Sequence, residues 1–230
     1  MPLATGAGLT MKAMILAAGR GERMRPLTDT TPKALLQVGG QALIEYHIAA
    51  LVAGGVTDIV VNLAWLGEQV AAYLGDGERY GVSISYSDEG SAALETGGGI
   101  FKALPLLGDQ PFWVVNGDVH TAYSFPALEL SAGALGHLVL IPNPLHNPTG
   151  DFALTANRVS NTDATMYTYS GIGLFEPALF AKESGGAFPL APVLRAAADQ
   201  DRLTGELFRG MWSDVGTPER LAATDKLYSN

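Results

Sequence analysis

Cysteine is absent from the 230 residues. The chain therefore has no disulfide framework and no thiol nucleophile, which accords with a reducing cytoplasm. Cations are scarce as well: 14 Lys and Arg stand against 23 Asp and Glu, a formal net charge of −9. That balance argues against a general nucleic-acid or anionic-membrane binder, while leaving room for a local basic pocket. No apolar run approaches the ~18 residues that a membrane-spanning helix requires. There is no internal repeat, low-complexity tract or linker, and no run of hexapeptides that would signal an attached β-helix. The four histidines, His47, His120, His137 and His146, lack ligand spacing. Residues 1–10 have neither the basic start nor the long apolar core of a secretory signal. They read as a disordered extension, with one domain from Met11 to residue 230.

What is present is a 47% hydrophobic chain, long enough to bury a sizeable core. The apolar run Ala13-Met14-Ile15-Leu16 reads as a short buried strand. It leads into Ala17-Ala18-Gly19-Arg20-Gly21-Glu22-Arg23-Met24-Arg25-Pro26. Two glycines two apart let the backbone turn sharply and approach a ligand, and such a turn can aim several N–H groups at a phosphate. Arg20, Arg23, Arg25 and Lys33 place four cations within fourteen residues of an acidic chain. The loop is not a Walker loop, since no Gly-Lys-Ser/Thr follows, nor a dinucleotide fingerprint, since the third glycine is missing. Phosphate binding is the better reading of so many cations on one turn.

Further along, the pattern predicts a helix near 42–53 closed by Gly54-Gly55, a strand over 58–63 and a short helix over 66–74. A strand over 82–87, a helix over 96–104 and a strand over 111–116 follow. Alternation at this spacing marks a parallel sheet covered on both faces, with ligands beyond the carboxyl ends of the strands. The second half is more mixed: strands near 138–141, 152–154, 167–173 and 207–212, a helix over 192–199, and a last helix capped by Thr217 with Pro218 in its first turn. Trp65 and Trp113 adjoin apolar positions and read as core. His47 reads as helix packing.

Asp118, in Asn116-Gly117-Asp118, and Asp214, in Trp212-Ser213-Asp214-Val215-Gly216, each close an apolar run. Hard divalent cations take one or two carboxylates plus substrate phosphates. Singly, each aspartate could be a strand end or a helix-start turn. Together with the cation-rich loop at the same sheet edge, a metal role is favoured.

The order Leu-Ala-Ala-Gly-x-Gly-x-Arg-Met-x-Pro-Leu-Thr (16–28), Pro32-Lys33, Glu95-Thr96-Gly97-Gly98-Gly99, Asn116-Gly117-Asp118 and Ser213-Asp214-Val215-Gly216-Thr217 resembles the sugar-1-phosphate nucleotidyltransferase family. The shorter pieces Leu94–Phe101, Gly150-Asp151-Phe152 and Phe188–Pro192 are similar to its branch that joins UTP to N-acetylmuramic acid 1-phosphate in cell-wall sugar recycling. Other pairings, glucose or mannose 1-phosphate with UTP, dTTP or GTP, stay open, as does a non-catalytic nucleotide-sugar-binding subunit. The resemblance implies a Rossmann-like three-layer αβα sandwich with a mostly parallel sheet and a small mixed sugar-binding region. It also implies a cytoplasmic, Mg²⁺-dependent enzyme, monomeric or weakly dimeric. Ala18, Gly19, Gly21, Glu22, Arg23, Lys33, Gly97 and Asn116 are then expected at the nucleotide, with Arg25, Lys33, Asp118 and Asp214 catalytic. Asp118 and Asp214 are expected on the metal, and Glu95, Asp151 and Ser170 on the sugar. Two departures stand out: Ala34, where many members carry proline, and a longer Ser91-Ala92-Ala93 stretch.

Overall fold

The computed structural model describes residues 11–90 and 93–228. The expectations for residues 1–10 and for Ser91 and Ala92 lie outside the described residues.

The chain runs β1 (Met11–Leu16), β2 (Gln37–Val38), β3 (Gln41–Ala42), α1 (Leu43–Ala53), β4 (Val56–Leu63), α2 (Gly67–Leu74) and β5 (Ser83–Asp88). It continues through α3 (Glu95–Leu107), β6 (Phe112–Asn116), β7 (Val119–Thr121), β8 (Gly136–Ile141), β9 (Phe152–Thr155), β10 (Arg158–Ser160) and β11 (Met166–Phe175). The last elements are α4 (Leu190–Asp199), β12 (Leu203–Leu207), β13 (Trp212–Asp214) and α5 (Pro218–Asp225).

Nine strands form one sheet in the order β5-β4-β1-β6-β11-β8-β12-β10-β9, with β9 also pairing β11. β5, β4, β1 and β6 are mutually parallel. β11 enters antiparallel to β6 and opens a mixed region. Side chains alternate across the sheet as strand geometry requires. Ala13 and Ile15 join a core cluster with Ile44, Ile48 and Leu51 of α1, while Met14 joins one with Ile100 of α3 and Leu194 of α4. Both faces are therefore covered, and Ala13–Ile15 of β1 are fully buried, which is why that stretch reads as an apolar run. None of the described helices is long and apolar enough to cross a membrane.

One expected element divides. The run from Leu207 to Trp212 is not a single strand: β12 ends at Leu207 on β8, and β13 begins at Trp212 in a separate two-stranded ribbon with β7. One strand cannot hold both partners, so residues 208–211 carry the chain from the sheet to the ribbon. Trp65 also differs from expectation. It is half-buried, donates its Nε1–H to Thr28 O at 2.9 Å, and carries the Arg20 guanidinium 4.2 Å above its ring. It props the glycine-arginine loop, whereas Trp113 is fully buried core.

Candidate active site

A cleft of about 230 Å³ opens beyond the carboxyl ends of β1, β4, β5 and β6. Its walls include Ala18, Gly19 and Gly21 of the first loop, Lys33, Asn62, Glu89, Glu95 and Thr96, and Asn116 with Asp118. The parallel pairing accounts for this convergence: Leu16 lies beside Asn116 in register, and Gly117 N–H donates to Leu16 O at 2.9 Å. The two segments expected at one edge are thus neighbours.

The loop is folded back on itself. Gly21 adopts φ +68°, a conformation that glycine takes without the steric cost of a Cβ. Its carbonyl accepts from Thr28 Oγ1 at 2.8 Å and from Met24 N–H at 2.8 Å. Met24 is fully buried and anchors the turn. The four cations then take different stations. Lys33 Nζ sits 2.5 Å from Asp118 Oδ2, in a largely buried ion pair. Arg20 pairs with Glu22 at 2.9 Å and Arg25 with Asp29 at 2.7 Å, both exposed. Arg23 reaches the far wall, where a Cβ on Gly216 would lie 3.1 Å from its Nη2 and 3.3 Å from Asp214 Oδ2.

The two aspartates share a ribbon. Antiparallel pairing sets Asp214 opposite Val119, and Val215 N–H donates to Asp118 O at 2.7 Å. Each carboxylate faces a cation: Asp118 has Lys33, and Asp214 has Arg220 at 2.8 Å, with His146 Nε2 at 3.5 Å. Among the described residues no group of three or more His, Cys, Asp or Glu is arranged for a metal. Asp118 and Asp214 offer the hard carboxylate oxygens that Mg²⁺ takes alongside waters and phosphate oxygens. Behind Asp118, burial pushes the His47 imidazole down to about 4, against the opposing pull of the Asp118 carboxylate and a hydrogen bond to the Val119 backbone. His47 is therefore neutral at physiological pH, in keeping with packing.

Besides Glu22, Arg23, Arg25 and Asp214, the expected residues Gly97, Asp151 and Ser170 also stand outside the cleft lining. Gly97 is buried in the first turn of α3, where a Cβ would come within 2.5 Å of the Phe188 ring. Asp151 accepts from Tyr169 N–H at 2.8 Å and Asn147 Nδ2 at 3.1 Å at the mouth of the mixed region. Ser170 is buried, and its hydroxyl accepts from Ile172 N–H at 3.2 Å. Ser170 belongs to a feature that no local motif announced. The register of β11 on β8 slips between Tyr169 and Ile172, leaving Ser170 and Gly171 as a bulge. Gly171 has φ +83° and lies against Asn116, whose amide nitrogen would be 2.7 Å from any Cβ there. Trp212 Nε1–H pins the bulge through Ser170 O at 3.0 Å. The mixed region thereby supports the floor of the cleft. Asn62 and Glu89 were also missed, because they looked like a strand end and a turn.

A nucleotidyl transferase family model matches residues 12–150. The chain belongs to the nucleotidyl transferase family. It is 52% identical over 226 residues to the N-acetylmuramate alpha-1-phosphate uridylyltransferase of Neisseria meningitidis serogroup B, covering 94% of this chain and 98% of that one. It is 37% identical to the protein of the same description from Caulobacter vibrioides, covering 94% and 96%. Among solved structures, the inositol-1-phosphate CTP transferase of T. maritima shares the fold at a TM-score of 0.74, with 22% identity and 96% coverage of each chain.

Proposed function

We propose that residues 11–230 act as one catalytic unit joining UTP and N-acetylmuramic acid 1-phosphate to give UDP-N-acetylmuramic acid and pyrophosphate. The observation that carries this reading is the cleft that places Gly19, Gly21, Lys33, Asn116 and Asp118 together at the carboxyl edge of the parallel strands. The identity to the Neisseria uridylyltransferase supports the choice of base and sugar.

A phosphate oxygen of the sugar 1-phosphate attacks the α-phosphorus of UTP in line. The new P–O bond forms as the bond to the bridging oxygen breaks, and that oxygen leaves with pyrophosphate. No protein nucleophile is needed, so rate comes from positioning and charge neutralisation. Backbone groups from Ala18 to Arg23 cradle the triphosphate, with Glu22 and Arg23 at its outer end, and Arg25 swings from Asp29 to the leaving pyrophosphate. Lys33 exchanges Asp118 for the α-phosphate. Asp118 and Asp214 would hold Mg²⁺, which would lower the repulsion between two anionic substrates. Asn116, supported by Gly171, and the Gly97 turn bound the nucleoside, while Glu95, Asp151 and Ser170 shape the sugar side. The reaction belongs to the cytoplasm, where nucleoside triphosphates are supplied, and needs no nucleic acid or membrane. The protein acts in this reading as a monomer or weak homodimer.

The test is pyrophosphate release with Mg²⁺, crossing UTP, dTTP, GTP and CTP against the 1-phosphates of N-acetylmuramate, N-acetylglucosamine, glucose and mannose. The expected result is dominance of UTP with N-acetylmuramic acid 1-phosphate. Dominance of another pair discards the substrate assignment, and silence across the grid with nucleotide bound favours a non-catalytic subunit.

A further inference from the structure

Two buried polar side chains line the cleft without belonging to any part of the mechanism above. Asn62, at the end of β4, is 3% exposed, and Glu89, just after β5, is 7% exposed. They form a continuous relay. Ala17 N–H donates to Asn62 Oδ1 at 2.7 Å. Asn62 Nδ2 donates to Glu89 Oε1 at 2.6 Å. Leu94 N–H donates to Glu89 Oε2 at 2.6 Å. Glu89 is itself held by its own N–H on Leu63 O at 2.8 Å. The relay therefore runs from the first residue of the glycine-arginine loop, across the ends of two parallel strands, to the residue that precedes α3.

Those endpoints are the two walls of the cleft: Ala17, Ala18 and Gly19 on one side, and Ala93, Glu95 and Thr96 on the other. A Cβ on Gly99 would come within 2.5 Å of Glu89 Oε1 and 3.0 Å of Asn62 Nδ2, so α3 approaches the relay closely enough to demand glycine. Buried hydrogen bonds of this kind are costly to leave half made, and they fix geometry because water cannot substitute for a lost partner.

We propose that Asn62 and Glu89 are positioning residues that set the separation of the loop wall from the α3 wall, and so the fit of the nucleoside triphosphate between them. The pair touches neither reacting phosphate. It acts through Ala17 and Leu94, on nucleotide binding and not on the sugar phosphate. The proposal rests on the triphosphate occupying this cleft.

The polarity of the relay makes it testable by exchange. Asn62→Asp alone sets two carboxylates against each other. Glu89→Gln alone turns an amide NH₂ toward either Asn62 Nδ2 or Leu94 N–H. The double variant Asn62→Asp with Glu89→Gln restores every bond: the new carboxylate accepts from Ala17 N–H and from the new amide, whose oxygen accepts from Leu94 N–H. The total charge is unchanged. Binding of UTP is measured by calorimetry, with KM for UTP and for the sugar 1-phosphate and a thermal melt for each variant. Each single variant is expected to weaken UTP binding about tenfold or more, with the sugar-phosphate KM held within about twofold. The double variant is expected to return to within about threefold of the parent, a non-additive cycle. Lowered melting temperature in the singles with unchanged UTP affinity overturns the proposal, as does a double variant whose losses add. If the parent protein binds no triphosphate, the functional reading fails instead. Where one single variant is too unstable to assay, the other single variant read against the double variant decides, and parental UTP affinity in both overturns the proposal.

Discussion

The two halves of the sheet are built on different rules. In the parallel half, β5-β4-β1-β6, every strand ends at the same edge, so the strand ends and the short loops after them deliver Gly19, Asn62, Glu89 and Asp118 to one cleft. In the mixed half, strands run both ways, and special features back the cleft-lining residues: the Ser170–Gly171 bulge lies against Asn116, and the β7–β13 ribbon joins Val215 to Asp118. Parallel order collects cleft-lining groups by default. Mixed order must be bent toward them, and it leaves residues such as Asp151 outside the cleft lining.

The largest effect falls where the halves meet. Asp118→Asn and Asp214→Asn should each lower turnover by about 10³-fold at saturating Mg²⁺, measured as pyrophosphate release. Equal losses tie the ribbon to the parallel edge; loss in Asp118→Asn alone breaks that link. Next, Lys33→Ala should cost about 10²-fold in kcat/KM, because in the proposed mechanism the Nζ that sits on Asp118 passes to the α-phosphate. Within the mixed half, Gly171→Val places a β-branched residue at φ +83° against the Asn116 amide. It should cost on the order of 1–3 kcal/mol in urea unfolding and about tenfold in kcat/KM for UTP. Unaltered kinetics would mean that the bulge does not shape the floor. Asp151→Asn should be milder, raising KM for the sugar phosphate by about threefold to tenfold while leaving KM for UTP alone.

The smallest effect is on pH. The His47 value near 4 lies below its ordinary 6.5, so the unfolded chain takes up this proton first. Its contribution to stability is full above pH 6.5 and is lost as pH falls toward 4. Melting temperature should therefore drop on acidification, and His47→Gln should flatten the drop. His120 and His137, also lowered by burial, leave a residual slope.

The same contrast governs what could be read beforehand. Ala13–Leu16, the strand near 58–63 and the strand near 111–116 announced themselves because buried parallel strands are unbroken apolar runs, and the loops after them inherited a predictable edge. The mixed half hid its decisive features. A two-residue bulge has no local signature beyond one glycine, and the break between β12 and β13 depends on which partner each strand finds. Asn62 and Glu89 hid for a different reason: their relay joins positions 27 residues apart and exists only after β4 and β5 pair. The aspartates and Lys33 were legible as candidates, but the pairing of Asp118 with Lys33 and of Asp214 with Arg220 was not, because it depends on how the chain folds.

The most direct test is a crystal structure with Mg²⁺ and a non-hydrolysable UTP analogue. The account expects the triphosphate between the Gly19–Arg23 backbone and Lys33, the ion on Asp118 and Asp214, and Lys33 moved from Asp118 to the α-phosphate. A nucleotide bound elsewhere, or one bound here with the Lys33–Asp118 ion pair intact and no metal on the ribbon, would contradict it.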